Sequence, residues 1–325
     1  MTELHAEEVS YGGWSRCLRL STSEIQLLLT LDVGPRILHC QHLGGPNLFF
    51  EDRLQLGGRD ELVFQLRGGH RFWTAPESAQ TYEADNTPVE AIRHDASSVW
   101  ITSPARYGLR KSLQIQSLSP SVLQVRHGLR NVSETPIERA VWALTVMAPG
   151  GIALLPQPQL SQHPSVLPPG EPWREEDLLP SRRLVLWPYT DLGDSRLRLS
   201  GRLWTIEQRA GRPPLKLGLS GSGGVAAYQL GSSVFIKNLP VEAAATYPDL
   251  GASFELFTDA NFLELETLGP LRMLLPGQQI WHDEHWLLAH SAADLRDEAT
   301  GLAYLLRAAA VLNQAATSAS APHLR

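Results

Sequence analysis

The stretch that most constrains the fold is residues 247–288, YPDLGASFELFTDANFLELETLGPLRMLLPGQQIWHDEHWLL, where short runs alternate polar and apolar side chains. In an extended strand, successive side chains point to opposite faces. Glu264 and Glu266 therefore share one face with Phe262, and the leucines beside them share the other. Two carboxylates beside an aromatic ring indicate a cleft, and Glu255 in the preceding run is a candidate for the same surface. The alternative is that these glutamates lie on the wet face of an antiparallel strand.

The rest of the chain is a series of similar strands with a single convincing helix. This pattern predicts a mainly β, antiparallel fold. Although 325 residues can hold two domains, β-sandwiches often reach this size as one, so we predict a single domain over 1–325. Its sandwich core is expected at 14–290, its helix at 292–313 and a disordered tail at 314–325. The predicted apolar stripe of the helix is Leu295, Ala299, Leu302, Leu306 and Ala309.

Composition excludes several classes of partner. The net charge is −6 and the pI is about 6.0, whereas nucleic acids and anionic membranes require basic clusters. No apolar run is long enough to span a bilayer, and the first residues, MTELHAEEVSYGGW, do not resemble a secretory signal. We therefore predict a cytoplasmic protein with no nucleic-acid or membrane partner. In that compartment Cys17 and Cys40 are expected to be free thiols.

A group of chemically versatile residues follows Gly68-Gly69, where the sequence reads GGHRFWTAPE. His70, Arg71, Trp73 and Glu77 all lie within this segment. An indole offers a flat apolar surface to a sugar ring, and charged side chains form strong hydrogen bonds with hydroxyl groups. A packed turn is the alternative interpretation. The sequence thus allows a sugar-binding constellation here.

Further candidates are dispersed along the chain. Trp187 and Tyr189 are two residues apart, so a strand would present both on one face, either to a sugar or to the core. Arg36 begins a predicted strand, and Lys237 lies within one; each could face a cleft or solvent. The proline-rich segment 148–181 is predicted to be a long loop or lid.

The order LET, LGPLRMLLPGQQ and WHDEHWLL resembles the C-terminal signature of the galactose mutarotase-like (aldose 1-epimerase-like) superfamily. A more specific resemblance comes from the motifs GGHRFWTAPE, DNTPVE, LVLWPYTDLGDSR, YPDLG and ELETLGPL. It is to a bacterial branch of the superfamily that is a domain of unknown function. The resemblance covers most of 18–290 and implies an antiparallel β-supersandwich with a sugar cleft. It also implies that Glu266 is the catalytic base and that Pro276-Gly277 is the family's turn.

The sequence departs from the family pattern at two places. Arg67 stands where the superfamily has the histidine of a Leu-His-Gly-Gly loop. The segment 140–145, AVWALT, lacks the histidine that serves the family as general acid. Anomer exchange needs a base for the anomeric hydroxyl and a proton donor for the ring oxygen. His70 is then the best remaining donor, with Arg71 or Lys237 available to polarise the substrate.

Three functions remain open: a sugar-active enzyme of epimerase type, a carbohydrate-binding protein without catalysis, and a lyase or hydrolase using Glu255, Glu264 or Glu266. The expected ligand is a mono- or oligosaccharide, with no cofactor and no metal. Strand alternation would split the ligands of the cluster His282-Asp283-Glu284-His285 between two faces. The predicted catalytic residues are Glu266 and His70. The predicted substrate-binding residues are Arg36, Arg71, Trp73, Glu77, Trp187, Tyr189, Lys237, Glu255 and Glu264.

Overall fold

The structure is a computed structural model that describes residues 3–158, 162–220, 224–238 and 240–320. Within these ranges the chain forms twenty-one strands and one α-helix. The strands are β1 (His5–Tyr11), β2 (Trp14–Ser21), β3 (Ile25–Thr30), β4 (Arg36–His42), β5 (His70–Ala75), β6 (Ala91–His94), β7 (Ser98–Thr102), β8 (Leu109–Ser119), β9 (Val122–Asn131), β10 (Ile137–Met147), β11 (Ile152–Pro156), β12 (Arg183–Leu186), β13 (Leu197–Arg198), β14 (Leu203–Glu207), β15 (Leu215–Ser220), β16 (Val225–Leu230), β17 (Ser233–Asn238), β18 (Phe254–Thr258), β19 (Leu263–Leu268), β20 (Arg272–Leu274) and β21 (Gln279–His290). The helix is α1 (Glu298–Ser320).

The strands form two antiparallel sheets. The eleven-stranded sheet has the order β1-β2-β3-β4-β5-β10-β19-β18-β15-β12, and β20 pairs with β10. The ten-stranded sheet has the order β13-β14-β11-β16-β17-β21-β9-β8-β7-β6. This arrangement confirms the predicted mainly β, antiparallel sandwich with a C-terminal helix.

The main hydrophobic core lies between the two sheets. Leu263 and Leu265 of β19 belong to it, together with Phe235 and Trp286 of the ten-stranded sheet. Glu264 and Glu266 alternate with these leucines and therefore point away from the second sheet. The outer face of the eleven-stranded sheet is thus the surface on which these glutamates lie.

Helix α1 packs on the outer face of the ten-stranded sheet. Leu305 and Leu312 are buried there against residues that include Ile236 and Leu287. The helix differs from the predicted 292–313 at both ends, and its buried stripe is displaced, since Leu306 is 63% exposed. Part of the predicted tail, 314–320, is helical, and 321–325 lie outside the described residues.

The segment 148–181 is not the continuous loop that its prolines predicted. Its first part contains β11, which pairs with β14 and β16 inside the ten-stranded sheet. The described part that follows contains short 3-10 turns at Pro164–Val166 and Glu175–Leu178. Residues 159–161 lie outside the described residues, so the lid interpretation stays a prediction.

Gly68 and Gly69 allow a close approach of the chain to itself. Both have positive φ, at 92° and 71°. A Cβ on Gly69 would lie 2.2 Å from the carbonyl oxygen of Ile37. The neighbouring backbone therefore fills the space beside this turn.

Gly69→Ala is expected to lower the free energy of unfolding by more than about 1 kcal/mol, because a left-handed backbone and a steric overlap both oppose the new methyl group. Gly150→Ala is the matched control, since Gly150 has a φ of 88° and nothing within 4 Å of its added Cβ. Urea unfolding of both variants measures the difference. Equal losses would show that the overlap at Gly69 relaxes at no cost.

Among the described residues, no helix combines the length and the hydropathy that a membrane span requires.

Candidate functional site

One row of side chains crosses the outer face of the eleven-stranded sheet. Arg71 of β5 lies opposite Leu144 of β10, which lies opposite Glu266 of β19. Glu266 in turn lies opposite Glu255 of β18. Cross-strand partners point to the same face, so the register alone brings Arg71 and two carboxylates onto one surface.

Two cations, Lys216 and Arg71, pair with three carboxyl groups, Glu255, Glu264 and Glu266, and these five residues form the floor of the site. The Nζ of Lys216, from β15, lies 2.7 Å from Glu255 Oε2 and 3.4 Å from Glu266 Oε2. Arg71 Nη2 donates a hydrogen bond of 2.9 Å to Glu264 Oε1. The floor therefore has one carboxyl group more than it has cations.

Aromatic rings surround these charges. Lys216 Nζ lies 4.6 Å from the ring centroids of both Trp142 and Trp187, and this geometry is typical of cation–π contacts. The Arg71 guanidinium lies 4.5 Å from the Trp73 ring. Trp73 also meets Trp142 edge to face at 5.5 Å. The indoles thus wall the charged floor on several sides.

Several polar atoms of the floor are buried without a partner. Glu255 and Glu266 are 0% exposed. Apart from the ion pairs with Lys216, both carboxylate oxygens of Glu255 and Oε1 of Glu266 have no hydrogen-bond partner, and neither do Nε and Nη1 of Arg71. Buried polar atoms are normally hydrogen-bonded, so this set calls for a bound molecule with hydroxyl groups or for ordered water.

Burial and crowding shift the protonation of the floor. Burial, together with the neighbouring charge of Glu266, raises the pKa of Glu255 well above its usual range. Burial also raises the pKa of Glu264, although Arg71 opposes the shift. Burial alone would lower the pKa of Lys216, but the carboxylates of Glu266 and Glu255 outweigh it and raise that pKa. Lys216 is therefore a cation at neutral pH.

Most of the predicted site residues lie on or beside this floor. Trp187 contacts Lys216, and the half-exposed Tyr189 lies close enough for Lys216 and Glu266 to influence its pKa, which burial raises. The residues of the predicted set that the structure brings together are Arg71, Trp73, Trp187, Tyr189, Glu255, Glu264 and Glu266.

Sequence reasoning missed Lys216 and did not assign Trp142 to the site. Trp142 Nε1 donates a hydrogen bond of 2.8 Å to Glu266 Oε2, so this indole orients the predicted base. The sequence signal for Lys216 was a single charge within the otherwise apolar run LKLGL, since a lysine in a buried strand needs an anionic partner.

Arg36 and Glu77 lie near the floor but do not reach it. Arg36 is fully buried and donates to the carbonyl oxygens of Leu66 and Gly68, at 2.6 and 3.1 Å, and to Asp85 at 2.8 Å. It therefore holds loops together, in contrast to the predicted contact with a substrate. Glu77 is exposed and accepts a hydrogen bond from the hydroxyl of Tyr82.

His70 and Lys237 do not face the outer surface, in contrast to the prediction. His70 precedes Arg71 on β5, so the two side chains point to opposite faces of the sheet. His70 Nε2 lies 2.7 Å from His127 Nε2, on the other sheet. Lys237 Nζ donates to Glu284 Oε1 at 2.8 Å and to the carbonyl oxygen of Leu265 at 2.9 Å. Both residues thus lie between the sheets.

The buried polar network between the sheets is satisfied internally. Thr145 Oγ1 lies 2.9 Å from His70 Nδ1 and 3.2 Å from Lys237 Nζ. Glu284 also accepts hydrogen bonds from Trp286 Nε1, at 2.7 Å, and from Thr267. Burial lowers the pKa of His70 and of His127, so both rings are neutral near pH 7.

The same network contains a group that resembles a metal site. Among the described residues, one ligand atom each of His70, His127 and Glu284 lie within 4.8 Å of one another. However, the Lys237 ammonium already occupies Glu284, and the separation of 2.7 Å between the histidine nitrogens is a hydrogen-bond distance. A buried ion pair with neutral histidines fits this geometry better than a metal centre.

Comparison with solved structures finds this fold in other proteins. A galactose mutarotase-like protein from Lactobacillus casei ATCC 334 aligns with a TM-score of 0.53 at 11% identity, over 84% of this chain and 100% of that chain. The Slr1438 protein from Synechocystis sp. PCC 6803 aligns with a TM-score of 0.52 at 11% identity, over 83% and 93% of the two chains. A TPR-domain containing protein from Parabacteroides distasonis ATCC 8503 reaches 0.53 at 12% identity, over 87% of this chain and 48% of that chain.

No protein-family model matches the sequence, and no curated protein matches it either. The resemblance to one bacterial branch therefore stays a prediction. The two-sheet architecture and the structural alignment support a conclusion about the fold: the chain has the galactose mutarotase-like fold that its sequence resemblance implied.

Proposed function

We propose that this protein binds a sugar on the outer face of the eleven-stranded sheet and interconverts its anomers, with Glu266 as the general base. The observation that carries the proposal is the unpartnered Oε1 of Glu266 on a buried floor walled by indole rings. A carboxylate whose second oxygen is anchored by Trp142, and whose first is free, is oriented to accept a proton.

Anomer exchange requires ring opening. A base removes the proton of the anomeric hydroxyl while an acid protonates the ring oxygen, and the two roles reverse on closure. The Glu266 carboxylate supplies the base. Arg71, with two unpartnered guanidinium nitrogens, would hold the hydroxyl groups of the sugar in place.

A sugar as the ligand agrees with the surroundings and with the fold. Indole rings of Trp73, Trp142 and Trp187 offer flat apolar surfaces, and the carboxylates between them accept hydrogen bonds from hydroxyl groups. The Lactobacillus casei protein with the same fold is described as galactose mutarotase-like. Fold similarity alone does not transfer a reaction, so the argument rests on the floor residues.

Entry of a sugar requires a movement of Lys216. Its ammonium contacts both Glu255 and Glu266, lies 4.6 Å from each of two indole rings, and both carboxylates are 0% exposed. The lysine stem has several rotatable bonds and can withdraw without a change in the backbone. A hydroxyl-rich ligand would then replace the ammonium over the floor.

The position of Lys216 at the two carboxylates also favours a second candidate function, a protein that binds sugar without converting it. The segment 140–145 lacks the histidine of the superfamily, and a floor closed by Lys216 limits the access of a substrate to Glu266. Binding would then use the partly exposed rim, where Tyr82, Trp187 and Tyr189 lie.

The decisive experiment measures binding and exchange together. NMR exchange spectroscopy on a panel of aldoses reports the rate of anomer interconversion, and the change in tryptophan fluorescence reports affinity. Exchange faster than in buffer supports the enzyme, and saturable binding without exchange supports the binding protein. Absence of both across the panel would contradict a sugar function.

Trp187→Ala is expected to weaken sugar affinity by about tenfold, which corresponds to the roughly 1.4 kcal/mol of one lost aromatic contact. Trp100→Ala is the matched control, because Trp100 is also partly exposed but lies on β7 of the other sheet. Fluorescence or NMR titration measures both variants. Equal affinities of Trp187→Ala and wild type would remove Trp187 from the binding surface.

A further inference from the structure

We propose that Glu255 and Glu266 hold a single proton between them, and that Glu255 carries it as the acid that replaces the superfamily's missing histidine. The proposal rests on the proposed function, because it assigns the second proton-transfer role at the same floor. It differs from the prediction that Glu255 only binds substrate and from the prediction that His70 is the donor.

Charge counting on the floor is the first argument. Glu264 has its own cation in Arg71, at 2.9 Å. Glu255 and Glu266 lie directly opposite each other on β18 and β19 and share Lys216, at 2.7 and 3.4 Å. Two fully buried carboxyl groups with one cation cannot both ionise at low cost, so the pair retains one proton.

The hydrogen bond from Trp142 decides which carboxyl group holds that proton. The indole N–H donates to Glu266 Oε2 at 2.8 Å, and a donor of this kind stabilises the ionised form. Glu266 therefore has two donors, this indole and the Lys216 ammonium at 3.4 Å, whereas Glu255 has only the ammonium, at 2.7 Å. Glu255 is therefore the protonated member, in agreement with the direction in which burial shifts its pKa.

The reaction step balances with these two groups alone. The Glu266 carboxylate takes the proton of the anomeric hydroxyl, the bond between C1 and the ring oxygen breaks, and its electron pair passes to the ring oxygen. The carboxylic acid of Glu255 gives that oxygen its proton, and C1 becomes a carbonyl. After rotation about C1–C2, the proton returns to Glu255 and the ring oxygen attacks the other face of C1. Glu266 then gives its proton back to the carbonyl oxygen.

The two sugar oxygens that exchange protons in this reaction suit a neighbouring pair of carboxyl groups. The anomeric oxygen and the ring oxygen are both bonded to C1, so a donor and an acceptor side by side can serve them at once. Before a sugar enters, Lys216 contacts both groups, so its single positive charge leaves the pair with one proton.

The first test detects the proton directly and needs no activity. Protein carrying glutamate labelled with ¹³C at the carboxyl carbon is titrated by NMR. We expect one buried glutamate signal with the chemical shift of a protonated carboxyl group at pH 7, lost in Glu255→Gln. It should also be lost in Glu266→Gln, because Glu255 alone then pairs with Lys216 and ionises. Glu242→Gln, at an exposed glutamate, is the control that leaves the signal unchanged.

The second test measures catalysis. Glu255→Gln is expected to lower the rate of anomer exchange by about 10²- to 10⁴-fold, the usual contribution of an acid or base catalyst. The wild-type rate should fall as pH rises through the pKa of Glu255, and the residual rate of the variant should lose that fall. A residue that only supports the floor would change the rate without changing the shape of the pH profile.

The outcomes separate this proposal from the proposed function. If wild type is active but has no protonated carboxyl group at pH 7, or if Glu255→Gln retains the signal, the acid role of Glu255 is wrong while the proposed enzyme function stands. A wild type with that signal but without exchange on any aldose overturns the enzyme and the acid role together. The signal, its loss in Glu255→Gln and the altered pH profile together support the proposal.

Discussion

Glu266→Gln is expected to lower the rate of anomer exchange by about 10²- to 10⁴-fold, because the amide cannot accept the proton that a carboxylate base removes. The fold should survive the change. The amide oxygen can still accept the hydrogen bond from Trp142, and Glu255 becomes the anionic partner of Lys216. Sugar affinity should therefore stay within a few-fold of wild type. NMR exchange spectroscopy at a saturating aldose concentration measures the rate.

The control for Glu266→Gln is Glu242→Gln, which removes an exposed carboxylate paired with Arg272. Its exchange rate should equal that of wild type, because exposed ion pairs contribute little. Equal rates for Glu266→Gln and wild type on a substrate that wild type converts would remove Glu266 from catalysis. A variant that neither binds sugar nor unfolds cooperatively would instead show that Glu266 holds the floor together.

Strand alternation alone was enough to predict part of the floor. The run LELET fixed Glu264 and Glu266 on one face and Leu265 on the other, and the structure has that arrangement. The face on which each of these side chains lies can be inferred without knowing which strands are neighbours. The same rule explains an error, since His70 and Arg71 are adjacent on β5 and cannot both face a cleft.

What the sequence could not predict depends on strand order. Lys216 reaches Glu255 and Glu266 because β15 pairs with β18, which is far from it in sequence. Trp142 reaches Glu266 because β10 pairs with β19. These pairings decide which charges meet, and no spacing within a single strand reveals them. The proton that we propose for the floor also depends on these pairings, so the sequence alone could not suggest it.

The predicted role of Lys237 failed for a related reason. A lysine in a strand faces solvent, a cleft or a buried anion, and the local sequence does not distinguish these. Its strand, β17, pairs with β21, which supplies Glu284 between the sheets. The alternation of HDEH on β21 points His282 and Glu284 inward, and Asp283 pairs with Arg126 on the other side. The ligand set of that cluster is thus divided, as alternation predicted.

Lys237→Met is expected to lower the free energy of unfolding by about 3–5 kcal/mol, the usual cost of leaving one partner of a buried ion pair alone. Both side chains of the pair are 0% exposed, so water cannot compensate the Glu284 carboxylate. Lys237 and the neighbouring histidines hold the pKa of Glu284 far below its usual range, against the effect of burial. The variant loses the largest of these contributions. Urea unfolding followed by circular dichroism measures the loss.

Two further variants show whether the loss comes from the uncompensated charge. Adding Glu284→Gln to Lys237→Met removes the lone carboxylate, so the double variant should recover part of the stability. Arg272→Met removes one partner of an exposed pair and should cost at most about 1 kcal/mol. If Lys237→Met unfolded like wild type and instead lost sugar affinity, Lys237 would act in binding as the sequence suggested. A large loss of stability in Lys237→Met, partly recovered in the double variant, would show that Lys237 stabilises the sandwich by compensating the buried charge of Glu284.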